Sequence, residues 1–180
     1  MEYVLRVAEP GDTPALRELI ARSIRSLGAA DYSSAQIEAA LLGAFGVDSA
    51  LVGDGTYYVV ETSHGAIVGC GGWSRRRTLF GGDTHAERDE SMLDPARDSA
   101  KIRAFFVDPA HARRGLGRKL LERSEAAAAA AGFRQLELMA TLPGVRLYAA
   151  CGYAPSAPLR YRLPGDVDIE FVPMHKRLEA

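Results

Sequence analysis

IRAFFVDPAHARRGLGRKLL, residues 102–121, decides how this chain is read. The apolar run Ile102 to Val107 is a buried strand, and Asp108-Pro109 breaks it, since proline has no N–H to give to a ladder. Arg113, Arg114, Gly115, Leu116, Gly117 and Arg118 then stand at the mouth of a helix predicted from about Leu116 to Ala131. Leu116, Leu120, Ser124 and Ala127 or Ala128 line one side of that helix. The first turn of a helix leaves backbone N–H groups without internal partners, and its dipole makes their end positive. Gly115 and Gly117 remove side chains that would block close approach, and the arginines around them offer planar, always-charged forks. The arrangement is a phosphate site, best matched to a diphosphate.

Two common phosphate loops are excluded by specific residues. A Walker loop follows its glycine with Lys-Ser/Thr, so that a hydroxyl can hold magnesium. Here Arg118-Lys119-Leu120 follows, and there is no such hydroxyl. A dinucleotide fingerprint needs three glycines in a first βαβ unit. This loop has two, past the middle of the chain, and no acid ends the next strand, since Glu137 lies inside it.

Working outward, the chain opens with a strand, Tyr3 to Ala8, closed by Pro10-Gly11. Asp12 is expected to cap a helix with Leu16, Leu19, Ile20, Ile24 and Leu27 on its apolar stripe, stopped by Gly28. Ser33 or Ser34 caps a second helix with Ile37, Leu41 and Leu42 facing inward. Residues 56–73 read as a hairpin turning at Ser63-His64-Gly65. Residues 80–99 break the pattern: a polar, turn-rich insertion with Asp83, Glu87, Asp89, Glu90, Asp94 and Asp98 against Arg88 and Arg97. After the Leu116 helix come a strand, QLELMAT, a short helix from Pro143 to Cys151, and strands over Tyr153 to Leu163 and Ile169 to Leu178. The order β-α-α-β-β-β-α-β-α-β-β is one mixed α/β sheet, and residues 1–178 read as a single domain.

With 180 residues the chain is long enough to bury its own core without disulfide or metal staples. Its 22 basic and 23 acidic residues leave a net charge of −1, which argues against a nucleic-acid binder relying on overall basicity. No run approaches the ~20 apolar residues of a membrane span, and the start lacks a secretory pattern, so a cytoplasmic location is expected. Of the basic residues only Lys101, Lys119 and Lys176 are lysines. Cys70 and Cys151 sit in apolar runs and read as core residues. His64, His85, His111 and His175 have no metal-ligand spacing, so no metal is expected.

Val107-Asp108-Pro109 followed by Gly115-Leu116-Gly117 resembles the acetyl-CoA loop of the GCN5-related N-acetyltransferases, the GNAT superfamily. Ala112 departs from the Gln or Arg that leads the family's loop. Leu147-Tyr148-Ala149-Ala150-Cys151-Gly152-Tyr153 is similar to the family's second signature, a short helix carrying a Tyr and ending in Gly and an aromatic. The resemblance runs from Tyr3 to Leu178. It implies the GNAT fold: a mixed, mostly antiparallel sheet flanked by helices, with its central strands splayed to admit acetyl-CoA.

By the same resemblance the backbone of Phe105, Phe106 and Val107 holds the pantetheine arm. The amides from Arg113 to Arg118 hold the pyrophosphate, and an N–H near Phe106 or Val107 polarises the thioester carbonyl. Tyr148 is the implied catalytic residue, donating a proton to the departing thiolate. Glu61, the insertion acids and His111 are candidates for the general base; none has a fixed motif position. Thr141 stands where many relatives carry Asn. The function expected is transfer of acetyl from acetyl-CoA to a primary amine by direct attack in a ternary complex, with a small-molecule acceptor. A pocket closed by residues 30–50 and 80–99 would favour that acceptor; an open cleft would favour a protein or peptide amine. A catalytically silent acyl-CoA-binding regulator is the alternative from another class. Dimers are common in the resembled family, and the sequence leaves the oligomeric state open.

Overall fold

Tyr57 and Val59 pack into one core, while Tyr58 and Val60, their alternating neighbours, pack into another. That period of two means a strand at the middle of the molecule, buried on both faces. The computed structural model describes residues 2–85 and 88–179, so Glu87 of the insertion lies outside the described residues. The elements in order are β1 (Tyr3–Val7), α1 (Thr13–Leu27), α2 (Ser34–Gly43), α3 (Ser49–Gly53), β2 (Tyr57–Thr62), β3 (Ile67–Ser74) and β4 (Ala100–Val107). There follow α4 (Leu116–Ala130), β5 (Gln135–Thr141), α5 (Val145–Ala150), β6 (Ala154–Pro155), β7 (Leu159–Leu163) and β8 (Val167–Arg177).

The strands form one sheet in the order β1-β2-β3-β4-β5-β8-β6, with β7 also paired to β8. Among the described pairs only β4 and β5 run parallel. Helices α1, α2 and α3 cover one face, where Leu16, Leu19, Ile20, Ile37 and Leu51 meet Tyr57, Cys70 and Phe171. Helix α4 covers the other through Leu116, Leu120, Leu121 and Ala128, against Val60, Trp73, Phe133 and Leu136. Each such large side chain contributes about 1.5–3 kcal/mol by burial, so the two layers clamp the sheet from both sides. Ser124, on the buried side of α4, satisfies its hydroxyl on the Leu120 carbonyl at 2.8 Å.

Ser33 caps α2: its hydroxyl accepts from the Gln36 N–H, and the Gln36 side chain accepts from the Ser33 N–H. Three local expectations need correction, and one helix was not expected. Leu42, expected to face inward from α2, is 70% exposed. The Asp12 carboxylate makes no side-chain cap to α1; it is engaged by Arg6 at 2.8 and 3.0 Å and by the Glu9 N–H. The strand expected over Tyr153 to Leu163 is two pieces, β6 and β7, each pairing separately with β8. The short helix α3 had no sequence expectation; Asp48 begins it, accepting from the N–H groups of Ala50 and Leu51.

Candidate active site

The ladder between β4 and β5 has two partner pairs, Ala100↔Leu136 and Lys101↔Glu137, and the Lys101 ammonium donates to Glu137 at that closed end. Beyond it the strands part. Strand β4 stays with β3 as far as Val107, and β5 stays with β8 as far as Thr141. Their facing edges have no strand between them.

A bulge helps turn β4 away. Cys70 pairs with Phe106 and Gly72 with Arg103, leaving Ala104 and Phe105 opposite Gly71. Ala104 takes a left-handed conformation, φ 58°, which costs a residue with a Cβ about 1–3 kcal/mol. The surroundings hold it there. The buried Tyr57 hydroxyl donates to the Ala104 carbonyl at 3.1 Å and lies 3.2 Å from the Cys70 sulfur. The Phe105 ring lies so close over Gly71 that a Cβ there would sit 2.8 Å from it.

Two cavities meet in the opening. One, about 600 Å³ with its mouth, runs between α1 and α5 along Phe105, Phe106 and Val107, reaching Gly117 and Leu147 and ending against Tyr148. The other, about 610 Å³ with its mouth, lies beyond Tyr148, with Phe45, Phe80, Arg103 and Phe171 in its walls. Phe105, Phe106, Thr141 and Tyr148 line both. Tyr32 ties the far end together: its hydroxyl donates to the Glu170 carbonyl at 2.7 Å and accepts from the Leu142 N–H at 2.9 Å. Burial pushes the Tyr32 phenol up to about 12.

Tyr148 is 8% exposed, packed edge-on against Phe105 and Tyr153. Its hydroxyl has no hydrogen bond to a described residue, and burial raises its pKa above the ordinary phenol value, so it stays protonated. Of the two amides expected near the thioester, that of Phe106 is turned to the Cys70 sulfur. That of Val107 faces the first cavity, where it donates to the Ser23 hydroxyl at 3.3 Å.

The glycine loop stands at the mouth of the first cavity. Asp108 begins it, accepting from the Ala110 N–H and from Arg22 at 3.0 Å. Burial acts to raise its carboxyl, but these partners hold it below the usual range. Gly115, φ 79°, is the cap residue of α4, and Arg113 just before it is also left-handed, φ 61°. Arg113, Arg114, Gly115 and Arg118 are exposed. The Leu116 side chain is buried in the core, which leaves only its backbone to face a ligand. Gly117 abuts α5: a Cβ there would meet Leu147 Cδ2 at 2.9 Å.

The described base candidates are held elsewhere. Glu61 pairs with Arg6, and the His111 Nδ1 is 3.0 Å from the Tyr3 hydroxyl. Asp83 accepts from Ser49, Asp89 from Ser91, Asp94 from the Ala96 N–H, and Glu90 pairs with Arg88. Asp98 accepts from the Asp94 N–H. None of these lines either cavity. The insertion reaches the second cavity instead with Phe80, Gly81 and Gly82. Sequence reasoning missed Arg103, Phe45 and the Ala104 bulge; an alanine in the left-handed region leaves no mark in a sequence. Burial pushes the Cys70 thiol up to about 12 and also raises that of Cys151. Among the described residues no three His, Cys, Asp or Glu side chains are grouped to hold a metal.

A family model described as the acetyltransferase (GNAT) family matches residues 18–153. A search of curated proteins finds no match. Among solved structures, a GCN5-related N-acetyltransferase from Rhodopseudomonas palustris is 22% identical, with a TM-score of 0.72 over 99% of this chain and 97% of that one. The PaiA N-acetyltransferase of Thermoplasma acidophilum, in complex with coenzyme A, is 14% identical, with a TM-score of 0.66 over 98% and 99% of the two chains. YncA of Salmonella typhimurium, with its cofactor acetyl-CoA, is 19% identical, with a TM-score of 0.62 over 100% and 96%. At these identities the likeness establishes the fold: the mixed, splayed sheet flanked by helices is the one expected.

Proposed function

The chain belongs to the GNAT acetyltransferase family, and from that premise we propose that it transfers acetyl from acetyl-CoA to the primary amine of a small molecule, by direct attack with both substrates bound. The observation that carries this reading is the continuous channel from Gly117, at the mouth of α4, along the unpaired edge of β4 to Tyr148. A strand edge without a neighbour has N–H and C=O groups to offer, and the pantetheine arm has amides to match them. A diphosphate at its other end would meet the free N–H groups of the first turn of α4, with Arg113, Arg114 and Arg118 around it. The bound forms of two fold relatives, with coenzyme A and with acetyl-CoA, fit the same assignment.

The chemistry divided among these residues is modest. The Val107 N–H, displacing its 3.3 Å contact with Ser23, donates to a carbonyl of the arm or of the thioester. Tyr148, protonated and with no hydrogen bond to a described residue, donates to the sulfur as the C–S bond breaks. Burial weakens the phenol as an acid, but it destabilises a thiolate as well, so the hydrogen bond matters most when charge develops on sulfur. A covalent acyl-cysteine is disfavoured because both thiols are held up by burial. A small acceptor is favoured because residues 44–46 and 79–82 wall the second cavity.

The test is release of free CoA from acetyl-CoA with a panel of small amines and short peptides. Faster release with small amines than with peptides is expected. Release only with peptides would overturn the acceptor assignment, and no release with any amine would favour the silent regulator.

A further inference from the structure

We infer that the second cavity takes an amine on an apolar, aromatic body, and one that is uncharged at neutral pH, of which an arylamine is the simplest example. This rests on the acetyltransferase reading above.

The walls argue for the body. Phe45 meets Phe106 and Phe171 edge-on, each at 6.0 Å between ring centres, and Phe80 lies 5.5 Å from Phe171. Four rings therefore form a continuous box against which a flat apolar group packs well. The charges argue for the amine. Among the described residues the ionisable side chains lining the box are Arg103 and Tyr148. The Arg103 guanidinium is 2.6 Å from Asp48 and also donates to the Gly81 carbonyl. Asp48 in turn takes Arg88 at 3.1 Å, and Arg88 pairs with Glu90 at 2.7 Å. The four formal charges cancel, and neither carboxylate lines the box.

An ammonium entering would lose its water and find no anion among the described residues of the lining, which is costly. Cation–π attraction would oppose that cost, at about 0.5–2 kcal/mol, but the Arg103 cation in the same wall repels a second one. Among the described residues no proton acceptor lines the box either. His85 packs edge-on against Phe80 at 4.7 Å, behind the box rather than in its lining. A neutral amine needs none. Its nitrogen forms the new N–C bond, the C–S bond breaks, and the proton the nitrogen loses ends on the sulfur. Tyr148 passes its own proton on and regains one, so the reaction yields amide and thiol with no net proton change.

The experiment measures kcat/KM for CoA release from pH 6 to 9 with para-ethylaniline, phenethylamine and spermidine, on the full chain and on Glu87→Gln, whose carboxylate lies outside the described residues. Para-ethylaniline and phenethylamine share a ring and a two-carbon tail but differ in basicity. The aniline is expected to lead at pH 7 by at least about tenfold, because alkylamines with pKa near ~10 are almost wholly protonated there. Its profile should be flat, while that of phenethylamine rises about tenfold per pH unit towards the amine's own pKa. Glu87→Gln should change neither. Preference for spermidine, an acid limb between pH 6 and 8 with para-ethylaniline, or selective loss in Glu87→Gln would overturn the inference and leave the acetyltransferase reading standing. No release with any of the three, or with the wider amine panel, would remove both.

Discussion

The Tyr148 hydroxyl stands where the two cavities meet, buried and with no hydrogen bond to a described residue. Tyr148→Phe keeps the ring and its contacts with Phe105 and Tyr153, so acetyl-CoA affinity and melting temperature should change little. The chemical step, read in single turnover with saturating amine, should slow by about 10²–10⁴-fold. A rate within about threefold of wild type would make Tyr148 a packing residue. Tyr57 has a different role, because its hydroxyl braces the left-handed Ala104. Tyr57→Phe leaves that carbonyl only the weak contact of the Cys70 thiol at 3.7 Å and should cost about 1–3 kcal/mol in denaturant unfolding. Ala104→Gly relieves the strain and should recover more stability in the Tyr57→Phe background than in the wild type. Strictly additive effects would show that the brace and the bulge are independent.

At the scale of elements, the mouth of α4 is the part proposed to accept negative charge. Gly117→Glu puts a bulky anion there and should abolish acetyl-CoA binding in calorimetry on folded protein. Any Cβ at 117 presses on Leu147 Cδ2, but that is the end of a flexible side chain. Gly117→Ala is therefore the control: it moves Leu147 without adding charge, and should retain most of the affinity. Unchanged binding in Gly117→Glu would place the phosphates elsewhere. This element was legible in sequence because its signal is local: a Pro-broken strand, two glycines and a periodic apolar stripe, observed as β4, the loop and α4. The β4 bulge was not, because Ala104 is turned by Tyr57 and Cys70, more than thirty residues away. The same holds for Asp12, which reads as a helix cap but is claimed by Arg6, across a turn that sequence spacing does not describe. The acids of the insertion read as candidates for the acceptor cleft. In the fold the described ones bond to neighbouring arginines, serines and backbone, and Phe80 is what reaches the cavity.

At the scale of the whole molecule, helices on both faces hold the sheet together while its two middle strands part. A ligand spanning the gap from the mouth of α4 to Tyr148 would bridge β4, α4 and α5, and so should stabilise the native state alone. The most direct test is thermal unfolding with and without acetyl-CoA, compared with free pantetheine. At a hundredfold excess over its Kd, acetyl-CoA should add about 2.7 kcal/mol, which for a chain of this size is a rise of roughly 5–10 °C. Pantetheine, which on this account would enter the same channel but carries no diphosphate, should raise the melting temperature much less at the same concentration. Equal shifts from the two, or none from acetyl-CoA, would contradict the assignment of the channel.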